Sequence, residues 1–248
     1  MVEMSGISLT YQTESGPHPA LVGIDLTVRR GQSCVIIGPT GCGKTSLLHI
    51  LAGLVVPTQG QASINGELVR KPRRETSLIL QQHGLFPWKN AISNVTIGLA
   101  MRGVPKIQQR NRARKLMEKL GIWDVKDSFP GQLSGGQQQR VAIARAVTTD
   151  PDLLLMDEPF SSLDAMTRES LQNLLLRIWN ERLFTYILVT HSIEEAVFLG
   201  RKVVVLSPRP GSVAHTLENP GVGGKSFRLS GEFRRKCLQV RRMVEEAL

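Results

Sequence analysis

The chain has 248 residues, 41% of them hydrophobic, and a formal charge of +10; this suits one large domain with a lobe and argues against two equal domains. Its longest apolar runs, Leu153 to Met156 and Val203 to Leu206, fall far short of the roughly 18 to 20 residues that cross a bilayer, so no membrane span is expected. Cys34, Cys42 and Cys237 form neither a disulfide framework nor a CxxC pair, and the start lacks a basic-then-apolar signal, so a reducing cytosol is expected.

The first 30 residues alternate apolar and polar around Ile7 to Tyr11 and Leu21 to Val28, with Gly16-Pro17 and Pro19 between them, which predicts two strands joined by an irregular turn. Tyr11 is either a half-buried strand tyrosine or an aromatic that stacks on a purine base. The apolar run Cys34 to Ile37 then leads into Gly38, Pro39, Thr40, Gly41, Cys42, Gly43, Lys44 and Thr45, followed by a helical-looking run from Ser46 to Leu51. Strand, glycine loop and helix start are the context of a phosphate-binding P-loop. Its glycines permit a sharp turn that aims backbone N–H groups inward, and the helix adds its positive end. Lys44 is expected to reach the outer phosphates, and the Thr45 hydroxyl to ligate a hard Mg2+ ion. The position of Cys42, near Lys44 and a helix N-terminus, predicts a thiol of lowered pKa whose alkylation would inhibit the protein and be prevented by nucleotide.

Gly53 and Pro57 end the first helix, and Asn65-Gly66 is a type I′ hairpin signal that predicts a small antiparallel patch. A strand over Thr76 to Leu80 delivers Gln81 and Gln82 at its carboxyl end, where open α/β sheets place ligands; a glutamine there ligates Mg2+ or positions a water. From His83 to Thr149 the character turns helical, with helices predicted around Ala91 to Met101 and Lys106 to Leu120, the latter opened by Pro105 and closed by Gly121. Phe86 and Trp88 at the start of this insertion are either lobe core or a docking surface.

Ser134 is a natural N-cap for the run that follows, and Gly135, Gly136 and Gln137 leave N–H groups open to a second anion. The buried run Leu153 to Met156 predicts a strand covered on both faces, ending in Asp157, which faces the metal region, and Glu158, which orients or deprotonates a water. Asp164 caps the next helix, whose Leu171, Leu174, Leu175 and Ile178 form one apolar face. A further strand, Tyr186 to Thr190, ends at His191, which is either a structural histidine or a partner for phosphate or the attacking water. Val203 to Leu206 is the last predicted strand; beyond Gly211 the chain is expected to be loop-like to Gly224 and then helical, with a basic outer face. Basic residues gather at Arg70 to Arg74, Arg110 to Lys115 and Arg234 to Arg242 without the interleaved aromatics of a single-strand binder. They suit solvated faces first, a membrane-adjacent face second and nucleic acid last.

In this order, the phosphate loop, the glutamine strand end, Leu133-Ser134-Gly135-Gly136-Gln137, Asp157-Glu158, Ser162-Leu163-Asp164 and His191 resemble the ATP-binding cassette (ABC) ATPases over about residues 5 to 210. The resemblance implies an α/β fold: a P-loop core with a mixed sheet, a small antiparallel β subdomain and a helical insertion subdomain. It implies an ATPase domain over 1–211, with the insertion at about 84–150 and a short tail at 212–248 carrying a packing helix. It implies ATP and Mg2+ as cofactors. Tyr11 then resembles the adenine-stacking aromatic, and Gly38 to Thr45 with Ser46 the Walker A loop. Gln81 resembles the Q-loop residue, Asp157 the Walker B acid, Glu158 the catalytic glutamate, Asp164 the D-loop acid and His191 the switch histidine, with Thr45, Gln81 and Asp157 around the metal. Where many relatives have an acid after the Q-loop glutamine, this chain has Gln82, which leaves open which glutamine reaches the metal.

The segments Gln81 to Trp88, Thr190 to Ala196 and Leu206 to Gly211 look like those of bacterial import cassettes for nitrate, sulfonates, taurine and pyrimidine precursors. That resemblance moves Phe86 and Trp88 towards a groove for a permease helix. Expected partners are a second copy that completes each ATP site with Ser134 to Gln137, membrane permease subunits and, indirectly, a solute-binding protein. No nucleic acid is expected. The expected location is the cytoplasmic side of the inner membrane. The rival class is a cassette working mechanically on nucleic acid or ribosomes, whose members usually carry two cassettes or a long coiled-coil insertion.

Overall fold

In the computed structural model, residues 1–14 and 16–248 are described. Three strands are wholly buried, β3 (Ser33–Ile37), β7 (Leu153–Asp157) and β8 (Thr185–Thr190), as unbroken apolar runs in a sheet covered on both faces require. With β6 (Thr76–Ile79), β9 (Lys202–Leu206) and β10 (Val213–Glu218) they make a six-stranded sheet in the order β10-β9-β3-β8-β7-β6. All its pairs are parallel except β10 with β9. The last strand corrects the sequence expectation of a loop to Gly224. Its residues are half-buried or exposed in an antiparallel edge position, so it carries little of the apolar alternation by which strands are recognised.

A second sheet, antiparallel, has the order β2-β1-β4-β5, from β1 (Val2–Thr13), β2 (Gly16–Val28), β4 (Gln59–Ile64) and β5 (Glu67–Leu68). Its hairpin turn has φ of 53° at Asn65 and 85° at Gly66, both in the left-handed region that a type I′ turn needs.

Alternation along the central strands sends side chains into two cores. Cys34, Ile36, Leu153 and Leu155 pack with α1 (Lys44–Leu51) and the antiparallel sheet. Val35, Ile37, Leu154 and Met156 face the other way, into a core shared with α4 (Gly135–Thr148), α5 (Ala165–Arg182) and α6 (Ile193–Leu199). The predicted apolar face of α5 is buried there, and Trp179 meets Tyr186 edge-on at 5.4 Å. The lobe consists of α2 (Ala91–Met101), α3 (Lys106–Lys119) and the start of α4. The chain closes with α7 (Lys225–Arg228) and α8 (Gly231–Ala247), whose Phe233 and Val240 are buried against the second core.

Candidate functional site

Because β3, β7 and β8 run parallel and in register, their carboxyl ends open on one edge, and the phosphate loop, Glu158 and His191 follow directly from them. The loop depends on its glycines. Gly41 and Gly43 have φ of 81° and 97°, and a Cβ on Gly43 would lie 2.8 Å from the Ala20 carbonyl oxygen. A Cβ on Gly38 would lie 2.9 Å from Cys42 Sγ and 3.0 Å from the Leu206 carbonyl oxygen. The Lys44 side chain folds back into the loop it follows, where Nζ donates to the carbonyls of Gly38 and Pro39, each at 2.8 Å.

At the other side of the loop the Thr45 hydroxyl donates to Asp157, 2.9 Å to Oδ2 and 3.2 Å to Oδ1. Burial pushes the Asp157 carboxyl above the usual carboxylate range, partly offset by that hydroxyl. A hydroxyl, a carboxylate and, on the neighbouring strand end, the Gln81 amide are all hard oxygen donors, a set that fits Mg2+. Glu158 holds a left-handed backbone, φ 43°, with its N–H donating to the Val189 carbonyl at 3.0 Å. A non-glycine residue held there stores strain that the surroundings must enforce. Its Oε2 lies 3.1 Å from His191 Nδ1.

One cavity of about 530 Å³ is lined by Tyr11, Lys44, Thr45, Ser46, Gln81, Glu158 and His191, together with Ala20, Thr40, Gly41, Gly43 and Arg209. Gln81, not Gln82, stands in that lining. Tyr11 is 37% exposed and its hydroxyl donates to Ser46 Oγ at 3.0 Å, so its ring is part of the cavity wall. Ala20 and Arg209 were missed in the sequence. Arg209 is brought there by its Nε donating to the Pro19 carbonyl at 3.1 Å, 190 residues away, and by Gly211, whose N–H and carbonyl bond Ala20 and Val22 at 2.9 Å each. No local periodicity signals such a closure.

Ser134 to Gln137 lie outside this cavity. They form a capping box in which Ser134 Oγ accepts from the Gln137 N–H at 3.3 Å, and Gln137 Oε1 accepts from the Ser134 N–H at 2.9 Å. The cap consumes the Gln137 amide and leaves those of Gly135 and Gly136 for an outside acceptor. A Cβ on Gly136 would lie 2.7 Å from Thr167 Cγ2, so this helix start rests on that of α5, which Asp164 caps by accepting from the Thr167 N–H at 3.0 Å.

The expectation of a reactive Cys42 is overturned. The residue is fully buried, and that burial raises its thiol above the ordinary range against the opposing effect of Lys44, 3.9 Å away. Elsewhere, Trp88 is 70% exposed, its ring tilted by 48° against that of Phe86 at 5.5 Å, so it is not lobe core. Phe86 lines a second cavity of about 520 Å³ with Ile97, Gly98, Met101, Arg102 and Arg145. Among the described residues no helix is long and apolar enough to cross a membrane.

The family model described as ABC transporter matches residues 21–161. The chain is 41% identical to a taurine import ATP-binding protein, TauB, of Roseobacter denitrificans, covering 86% of this chain and 80% of that protein. It is 44% identical to the TauB of Yersinia pestis, over 88% and 84% of the two chains. An uncharacterized ABC transporter ATP-binding protein of Methanocaldococcus jannaschii is 47% identical over 86% and 79%. Among solved structures it resembles the ATP-binding cassette MJ0796 in a dimeric post-hydrolysis state bound to ADP and Pi. There the TM-score is 0.81 at 30% identity, covering 89% of this chain and all of that one.

Proposed function

The chain belongs to the ABC transporter family of ATPases, and from that premise we propose that it is the ATP-hydrolysing subunit of an importer for a small solute. Taurine or a related sulfonate comes first, ahead of nitrate or a pyrimidine precursor. The observation that carries the hydrolytic part is the cavity that unites the glycine loop, Lys44, Thr45, Glu158 and His191, with Asp157 bonded to the Thr45 hydroxyl at its edge. The import part is supported by the relatives named for taurine import.

Adenine stacks on Tyr11, and the triphosphate lies along the loop, where Lys44 exchanges its carbonyl partners for phosphate oxygens. Thr45, Asp157 and Gln81 would hold Mg2+, which supplies charge neutralisation for the β and γ phosphates. Glu158 takes a proton from the attacking water, and His191, 3.1 Å from its carboxylate, fixes that carboxylate's direction and reaches the γ-phosphate. The Gly135 and Gly136 amides of a second copy contribute from the far side. The dimeric form of the similar cassette supports this arrangement. The cavity beside Phe86 and Trp88 receives a helix of the permease, which places the chain against the cytoplasmic face of the inner membrane. The mechanical alternative, a cassette acting on nucleic acid or ribosomes, is not favoured by the import relatives.

The test is a strain lacking this gene, complemented with a tagged copy. Loss of growth on taurine as sole sulfur source and recovery of a hydrophobic permease with the tag are expected. Unchanged growth on taurine removes that cargo, and salt-sensitive RNA in place of the permease removes the importer.

A further inference from the structure

We propose that the C-terminal segment, residues 219–230, is a positioning element for His191, with Arg228 acting through Gln172 on Glu195. The inference rests on the assignment of His191 to the hydrolytic site. His191 stands on the short loop between β8 and α6, and the turn after it is fixed by Glu195. The Ser192 side chain accepts from the Glu195 N–H at 3.3 Å, while the Ser192 N–H donates to Thr190 Oγ1 at 3.1 Å. Whatever fixes Glu195 therefore fixes the approach of the imidazole to Glu158.

Glu195 is 4% exposed, and burial raises its carboxyl above the ordinary range, so its acceptor oxygens need donors. One donor is Gln172 on α5, 2% exposed, whose Nε2 lies 2.9 Å from Glu195 Oε1. An amide rotated by half a turn would present its oxygen to the carboxylate instead. Arg228 prevents that: a guanidinium only donates, and its Nη2 donates to Gln172 Oε1 at 2.6 Å, which fixes the amide with its N–H groups towards Glu195. The guanidinium is itself held, 3.8 Å from the Phe198 ring centroid and 3.6 Å from Glu169. The same segment grips the other end of α6, where the buried Asn219 donates to the carbonyls of Val197 at 2.8 Å and Gly200 at 2.9 Å. The tail thus holds both ends of the helix that follows His191, and a movement of the tail alters hydrolysis without touching nucleotide.

The test compares full-length R228M, Q172M, the double variant and R228K with H191A, measuring ATP turnover, KM, nucleotide binding and melting. Arg228→Met and Gln172→Met are each expected to lower kcat about threefold to tenfold with KM and nucleotide affinity unchanged. In the double variant kcat should fall no further than in the weaker single, and R228K, which still donates to Gln172, should retain most of it. Multiplying losses in the double variant, a rise in KM that matches the fall in kcat, or full kcat in both singles while H191A is impaired would each overturn the proposal. Full turnover in H191A withdraws the site assignment and this inference with it. If R228M does not fold, Q172M and R228K decide the matter by the same readings.

Discussion

The phosphate loop and the start of α4 are both glycine-rich helix beginnings, yet they are built to different degrees of completion. Around Gly38 to Thr45 the loop is tied to distant chain: Lys44 is 6% exposed, Thr45 is bonded to Asp157 across 112 residues, and Cβ atoms added at Gly38 or Gly43 would meet Leu206 or Ala20. Ser134 and Gly135 are exposed, and the groups that secure this helix start are its own Gln137 and the neighbouring Thr167. In the proposed mechanism, therefore, binding nucleotide is a property the chain holds alone, whereas hydrolysis needs two chains.

That difference can be tested from its strongest consequence downward. Glu158→Gln should lower phosphate release by about 10² to 10⁴ while nucleotide binding persists, since it removes a base and leaves the loop intact; undiminished release would place the chemistry elsewhere. Ser134→Arg should leave the nucleotide affinity of the dilute chain unchanged and lower turnover at saturating ATP about tenfold to a hundredfold. An equal loss of affinity would mean that the two regions form one site within one chain. Thermal melting should separate the glycines. Gly43→Ala, at φ 97° and against the Ala20 carbonyl, should cost on the order of 1 to 3 kcal/mol. Gly135→Ala, whose Cβ would lie 3.6 Å from Leu163, should stay within about 0.5 kcal/mol. The smallest effect concerns the thiols. Burial raises Cys42 and pushes Cys34 to about 12 and Cys237 to about 11, so thiolate is scarce at neutral pH and forms only as pH climbs towards those values. Maleimide labelling near pH 7 should be slow and leave ATP turnover intact, with Cys237, the half-exposed thiol, labelled first as pH rises. Rapid inactivation at pH 7 that nucleotide prevents would restore Cys42 as a reactive group.

What could be read from the sequence was whatever a short stretch decides by itself. The runs at Cys34 to Ile37, Leu153 to Met156 and Tyr186 to Thr190 announce buried strands, and in a parallel sheet buried strands end side by side, so Asp157 and His191 could be placed at one edge. Asn65-Gly66 announced its hairpin by the same local logic. Properties set by distant chain were hidden. Cys42 has the neighbours of an activated thiol, but its burial comes from Leu21, Leu206 and Gly211, which fold over it from elsewhere. Arg209 joins the cavity through a bond to Pro19, and β10 is held by one neighbour at a half-exposed edge, so neither leaves a periodic trace. Phe86 and Trp88 look like core because they are large and apolar, and exposure depends on how the lobe packs.

The bonds from Gly211 to Ala20 and Val22, with that from Arg209 to Pro19, also set an order in time. Pro19, on the strand that pairs with the one carrying Tyr11, is made early in synthesis, but Arg209, which bonds to it and lines the same cavity as Tyr11, is encoded 190 positions later. At about 5 to 20 residues per second, that separates them by roughly ten to forty seconds on the ribosome. A nascent chain already bearing the entire phosphate loop still lacks the far wall of its pocket. The emerging protein therefore completes this cavity only when nearly all of the cassette has been made, and a chain released early is left with the loop and no finished cavity around it.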